Sequence, residues 1–201
     1  MVEQEKIQPE HVRIDIVGVD AAQEILIKKY FDLFAFSKDQ ASYSKKISAR
    51  FTLKDGKNIV ADFFVMFLNL LVKEIDFVDA VIFVCDLRNE ESLSIVENNL
   101  NGYFGQRLKE NAYLTILALD AENKKELKLS HEKVFEFAEK WRVSFGVLKE
   151  SEIKEIKEQV NTVIEEAYKQ YCNHRKLKNI AFKEHWQNRK KKDNFCSNCG
   201  C

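Results

Sequence analysis

Three cysteines crowd the last six residues, Cys196-Ser-Asn-Cys199-Gly-Cys201, and four basic residues, Arg189, Lys190, Lys191 and Lys192, stand just before them. Thiolates in this setting have two chemistries open to them. One is thioether formation with a prenyl donor at Cys199 and Cys201. A single lipid chain holds a protein only marginally, so a second chain or a basic patch is needed for stable anchoring. The basic run supplies that second signal toward anionic lipid. The other chemistry is metal ligation, with His185 or His174 joining the cysteines, since thiolates suit zinc. Structural zinc sites use two separated Cys/His pairs, and no second pair stands here at a regular spacing. Lipidation at Cys199 and Cys201 is therefore the expectation, and no metal site is expected.

The residues upstream must form the body that such a tail would carry. A chain of 201 residues suits one globular domain plus a tail. It is 45% hydrophobic with 15 Phe, enough for an aromatic-rich core. Basic and acidic residues balance at 32 each, which gives the whole protein no nucleic-acid signature. Residues 172–201 hold eight basic and two acidic side chains, so an acidic body precedes a basic tail. No apolar run approaches the ~18 residues of a membrane span. Met1 to Glu10 is polar and acidic, unlike a secretory or transit segment. Cys85 and Cys172 are isolated, so no disulfide framework is indicated and a reducing cytosol is the expected compartment.

Hydrophobic periodicity predicts the elements. Val12 to Val17 alternates and ends at Gly18, a strand feeding a turn. Ala21 to Phe34 has helical spacing. Phe51 to Leu53 and Asn58 to Phe67 read as strands joined by Lys54-Asp55-Gly56-Lys57, whose Asp-Gly is a hairpin signal. Asp79 to Asp86 and Tyr113 to Leu119 are apolar runs, as in parallel strands covered on both faces. Glu90 to Leu108 and Ser130 to Trp141 read as helices, and Val143 to Leu148 as a last strand. Ser151 to about Lys178 is a long amphipathic helix with apolar residues at Ile153, Ile156, Val160, Val163, Ile164, Ala167, Tyr168 and Tyr171. Alternating strands and helices imply an α/β domain with a mostly parallel sheet. Residues after Lys178 have fewer apolar side chains and are expected to be mobile.

Layout and tail together resemble the Rab-type small GTPases. The resemblance is carried by Asp55-Gly56-Lys57 at the turn between the second and third strands. It is also carried by Asp79-Ala-Val-Ile-Phe-Val-Cys-Asp-Leu-Arg-Asn-Glu-Glu-Ser92, by Phe135-Glu-Phe-Ala-Glu-Lys140 and by the terminal Cys-x-Cys. It implies a small G-protein, P-loop NTPase-like fold: a six-stranded, mostly parallel sheet flanked by helices, with a basic flexible tail. The expected divisions are an extension over 1–11, the G domain over 12–178 and the tail over 179–201.

The nucleotide motifs of that family are absent. A P-loop needs glycines that let backbone N–H groups wrap phosphate, a Lys for its charge and a Ser or Thr for Mg²⁺. Gly18 is kept, but Gln23 stands at the second glycine, Glu24 at the lysine and Ile25 at the hydroxyl position. Lys-to-Glu reverses a charge beside a triphosphate, where a close unit-charge pair is worth ~4 kcal/mol at an effective dielectric of ~20. The D-x-x-G-Q positions read Val65, Leu68 and Asn69, and the segment after them is short. Asp120-Ala-Glu-Asn123 replaces the guanine-reading N-K-x-D, and Lys149-Glu150-Ser151 replaces S-A-K. These vestigial positions are expected to carry no catalysis, and neither GTP or GDP nor Mg²⁺ is expected as a cofactor.

The simplest structural reading makes Gly18 a strand–helix turn, Gln23 and Glu24 a solvated helix face, and Cys85 a core residue. The Phe cluster (Phe31, Phe34, Phe36, Phe51, Phe63, Phe64, Phe67) reads as core. Phe63 and Phe64 point opposite ways in a strand, which leaves room for a partner patch. The expected function is that of a Rab-like pseudo-GTPase, a scaffold for protein partners in trafficking, on the cytoplasmic face of a membrane. The alternatives are a structural subunit of a large ciliary, cytoskeletal or mitochondrial assembly, and a divergent working GTPase.

Overall fold

In a computed structural model, residues 10–18, 22–23, 25–27, 44–66, 78–106, 112–120, 127–149 and 151–198 are described. The strands are β1 (Glu10–Gly18), β2 (Ser44–Thr52), β3 (Asn58–Met66), β4 (Ala80–Asp86), β5 (Tyr113–Asp120) and β6 (Ser144–Lys149). The helices are α1 (Ser92–Gln106), α2 (His131–Trp141) and α3 (Ile153–Asn198). Ala22, Gln23 and residues 25–27 are also helical, and the rest of the helix expected over Ala21 to Phe34 lies outside the described residues. The strands form one sheet in the order β2-β3-β1-β4-β5-β6. β2 is antiparallel to β3, and every other neighbouring pair is parallel. The protein is thus α/β, with a six-stranded, mostly parallel sheet flanked by helices.

Alternation along the central strands sends apolar residues to both faces, and each face has its own core. Ile14, Ile16, Ile82, Val84, Leu117 and Leu119 pack with Leu26 and with Ile156, Val160, Val163, Ile164 and Ala167 of α3. On the other face Val81, Phe83, Cys85, Ile116 and Ala118 pack with Val96 and Leu100 of α1 and Val134 and Ala138 of α2. Double coverage explains why every residue of β4 is buried. Cys85 is the small core residue expected of it; burial pushes its thiol up to about 11.

Local signals set the turns. Gly56 takes the left-handed conformation (φ 84°) that closes the β2–β3 hairpin. The Ser130 side chain caps α2 by accepting the Lys133 backbone N–H at 3.2 Å.

Three expectations need correction. β2 is nine residues long and begins at Ser44, not at Phe51. Ile47, Ala49 and Phe51 are half-buried against the core, while Lys46, Ser48 and Arg50 are exposed, so this strand has a period of two. The stripe of α3 is buried from Ile156 to Ala167, but Ile153 at its start is 47% exposed, and Tyr168 and Tyr171 are half-buried against the core. Residues 179–198 continue α3 as helix where a flexible tail was expected. No Gly or Pro occurs between residues 153 and 198, so nothing in the backbone ends the helix earlier.

Candidate functional site

Open α/β sheets place ligands at the carboxyl ends of their strands, in the crevice where the strand order reverses. Here that crevice lies between β1 and β4, because the chain leaves β1 toward β3 and leaves β4 toward β5. The residues at this edge are Gly18, Met66, Asp86, Asp120 and Lys149.

Gly18 ends β1, and a Cβ built on it would stand 2.4 Å from the Val84 carbonyl oxygen. Close passage of β1 over β4 therefore requires glycine, and its backbone angle needs no left-handed freedom. Gln23 is fully buried, which corrects its reading as a solvated residue. Its Nε2 donates to the Gly18 carbonyl at 3.0 Å and to the Met66 carbonyl at 2.9 Å. The amide thus staples the end of β1 to the end of β3, in the place where a phosphate cradle needs an open glycine. Its Oε1 is buried without a hydrogen-bond partner among the described residues. Ile25 is half-buried on the core and Val65 is buried within it. Glu24, Leu68, Asn69, Asn123 and the lipidation candidates Cys199 and Cys201 lie outside the described residues, as do the side chains of Arg189 to Lys192.

The charges along the edge are largely closed on themselves. Arg88 forks onto Asp86 at 2.9 and 3.0 Å, and Asp86 donates its backbone N–H to the buried Ser92 hydroxyl. Asp120 is buried, and its Oδ2 stands 3.2 Å from His131 Nε2 without hydrogen-bond alignment. Lys149 pairs with Glu152 at 3.0 Å. That hydrogen bond, the largest cause, holds Lys149 above the ordinary lysine range and Glu152 below the ordinary carboxylate range. A guanine nucleotide with Mg²⁺ does not fit the described part of this edge. An amide fills the space between two strand ends, and the carboxylate at the end of β4 is taken by an arginine. Among the described residues no three His, Cys, Asp or Glu side chains could hold a metal ion. His174, a metal-ligand candidate from sequence, instead faces Asp79 at 3.6 Å.

The amino edge holds a second set of polar groups that sequence reasoning missed. A cleft of about 240 Å³ is lined by His11, Arg13, Asp62, Asp79, Tyr171 and His174, among others. Its carboxylates are engaged within the chain. Asp62 accepts from Ser48 at 2.5 Å and His11 at 3.0 Å and pairs with Lys46 at 3.1 Å. Burial acts to raise the Asp62 pKa, but those three partners outweigh it and hold the carboxyl below its ordinary value. Asp79 accepts the Arg13 backbone N–H at 2.8 Å. Glu10 joins three elements: it accepts from Lys57, which pairs with it at 2.7 Å, from Tyr168 at 2.9 Å and from Arg175 at 2.6 Å. Asp62 and Asp79 were legible only as acids inside apolar runs, a pattern that marks a paired carboxylate.

Burial drives Asp79 above the ordinary Asp range, against the pull of the Arg13 N–H and His174. The folded chain keeps a proton on Asp79 at pH values where the unfolded chain has lost it. Stability therefore falls as pH rises from the unfolded value through the raised folded one. Asp79→Asn still accepts the Arg13 N–H and no longer titrates. Its urea midpoint is expected to lose that decline; an unchanged decline would place the titration on another group.

No family model matches the chain, and no curated protein matches it at the significance required. Three of the five described positions at the carboxyl edge, Gly18, Asp120 and Lys149, belong to those singled out from sequence, and Gln23 is brought against Gly18. The pairing that closes this edge was not foreseen.

Proposed function

We propose that this chain is a Rab-like small G-protein fold that has given up nucleotide chemistry and works as a membrane-associated adaptor or scaffold in intracellular trafficking. The observation that carries the reading is Gln23, buried and bonded to the carbonyls of Gly18 and Met66. A switch of this class needs phosphate and Mg²⁺ to hold its loops, and the residues for both are replaced. The strand order, with one antiparallel strand beyond β3, supports the fold assignment. Prenylation at Cys199 and Cys201, helped by Arg189 to Lys192, would hold the protein on the cytoplasmic face of a membrane.

A structural subunit of a large assembly is the second reading. It is favoured by the length of α3, 46 residues, and by Phe135, 46% exposed on α2. The test is to purify the protein from its own cells, denature it, chromatograph any released nucleotide and weigh the intact chain. Isoprenoid mass without guanine nucleotide is the expected result. Neither would favour the structural subunit, and stoichiometric GDP or GTP would overturn the pseudo-GTPase reading. The triple change Gln23→Gly, Glu24→Lys, Ile25→Ser then asks whether those positions are the lesion. Nucleotide binding gained only in the triple variant is the expected outcome. Binding already present in the unaltered chain would show a working, divergent GTPase.

A further inference from the structure

The length and course of α3 bear on how the body would stand on a membrane. Helix α3 begins beside the carboxyl edge, where Glu152 meets Lys149 at the end of β6. It runs back along the sheet and reaches the amino edge at Tyr168 and Arg175, which both bond Glu10 at the start of β1. His174 faces Asp79, one residue before β4, at the same edge. At ~1.5 Å per residue the course from 153 to 175 covers about 33 Å. The nine residues of β1, at ~3.3 Å each, cover about 30 Å. The two agree, so by Arg175 the helix has traversed the whole sheet.

The helix continues to Asn198, and those further residues have no sheet to run along. They extend about 35 Å beyond the amino edge at ~1.5 Å each. The costly step in forming any helix is its first turn. Here the packed segment before Arg175 is the nucleus, and the extension only propagates it.

We propose that residues 176–198 are a rigid stalk whose far end meets an anionic lipid surface, so that the body stands off the bilayer with its carboxyl edge turned away from it. The inference rests on the membrane reading of the proposed function. Charge complementarity names the occupant: Arg189, Lys190, Lys191 and Lys192 lie along the distal stalk, while the body is net acidic. The run begins about 20 Å past the amino edge at ~1.5 Å per residue. That exceeds the screening length of ~8 Å at physiological salt. The basic residues therefore reach lipid while the acidic body stays outside the range of its repulsion. A flexible tether would leave the orientation of the body free; the stalk fixes it.

The test uses the full chain with Cys172, Cys196, Cys199 and Cys201 changed to Ser and the buried Cys85 retained. Spin labels at Lys154→Cys and Asn194→Cys are expected to give a narrow distance distribution near 60 Å, from ~1.5 Å per residue. A broad distribution centred near 40 Å, which a coiled tail of ~5–6 Å × √n would produce, overturns the stalk. In a second arm, donor dyes at Asp55→Cys on the amino-edge turn and at Lys154→Cys near the carboxyl edge report energy transfer to an acceptor lipid. The vesicles are equal parts phosphatidylserine and phosphatidylcholine. Several-fold more efficient transfer from position 55 supports the orientation, and equal transfer overturns it. Failure to co-sediment with these vesicles overturns the lipid end of the proposal. The spin-label distance then still decides whether the stalk exists, and the nucleotide measurement still decides the pseudo-GTPase reading.

Discussion

Gly18→Ala is expected to cost about 3 kcal/mol of stability or more, seen as a lower urea midpoint with an unchanged slope. The added methyl would lie 2.4 Å from the Val84 carbonyl oxygen and 3.2 Å from its Cβ. Overpacking costs ~1–3 kcal/mol where a neighbouring side chain can yield. Here the obstacle is the backbone of β4, held between β1 and β5 by parallel ladders on both sides. Relief would require one ladder to open. The result bears on function, because the same glycine would cradle phosphate in a working P-loop. A loss of stability with no nucleotide in the unaltered chain accounts for the residue by packing alone. A loss under ~1 kcal/mol would show that the sheet yields, and the packing account of Gly18 would fail.

What was legible in the sequence depended on whether the signal was local. The runs Asp79–Asp86 and Tyr113–Leu119 are apolar on both alternating sets, and they became the buried centre of the sheet. β2 offered only three half-buried residues separated by exposed ones, and its first seven residues were missed. Gln23 could not be read correctly from its neighbours. Its burial depends on the carbonyl of Met66, which arrives 43 positions later at the end of β3. The Glu10 cluster is less local still, since it joins a residue in β1 to Arg175, 165 positions away. The helix beyond Lys178 had a local signal, the lack of any breaker, but its low apolar content argued the other way.

Arg13→Met carries the other large expected effect, a destabilisation of about 3–5 kcal/mol. Asp15 is completely buried in β1, and Arg13 Nε bonds its Oδ1 at 3.1 Å. The Arg13 guanidinium also lies 4.4 Å from the centre of the Phe64 ring, which covers the half-buried aromatic that sequence offered as a partner patch. Methionine keeps much of the packing over Phe64 and deletes the charge, so the loss falls on the carboxylate left behind. Replacing both charges, as Arg13→Met with Asp15→Leu, should recover most of the stability, because a buried pair exchanged for apolar groups is often neutral or better. If the single variant loses less than ~1 kcal/mol, Asp15 is held by its other contacts and the pair is incidental. If the double variant stays as unstable as the single one, the cost lies in lost contacts over Phe64. Recovery in the double variant would strip this charge pair from the Phe64 face without unfolding the chain. That variant would then be the reagent for asking whether any protein partner docks on this face of the sheet.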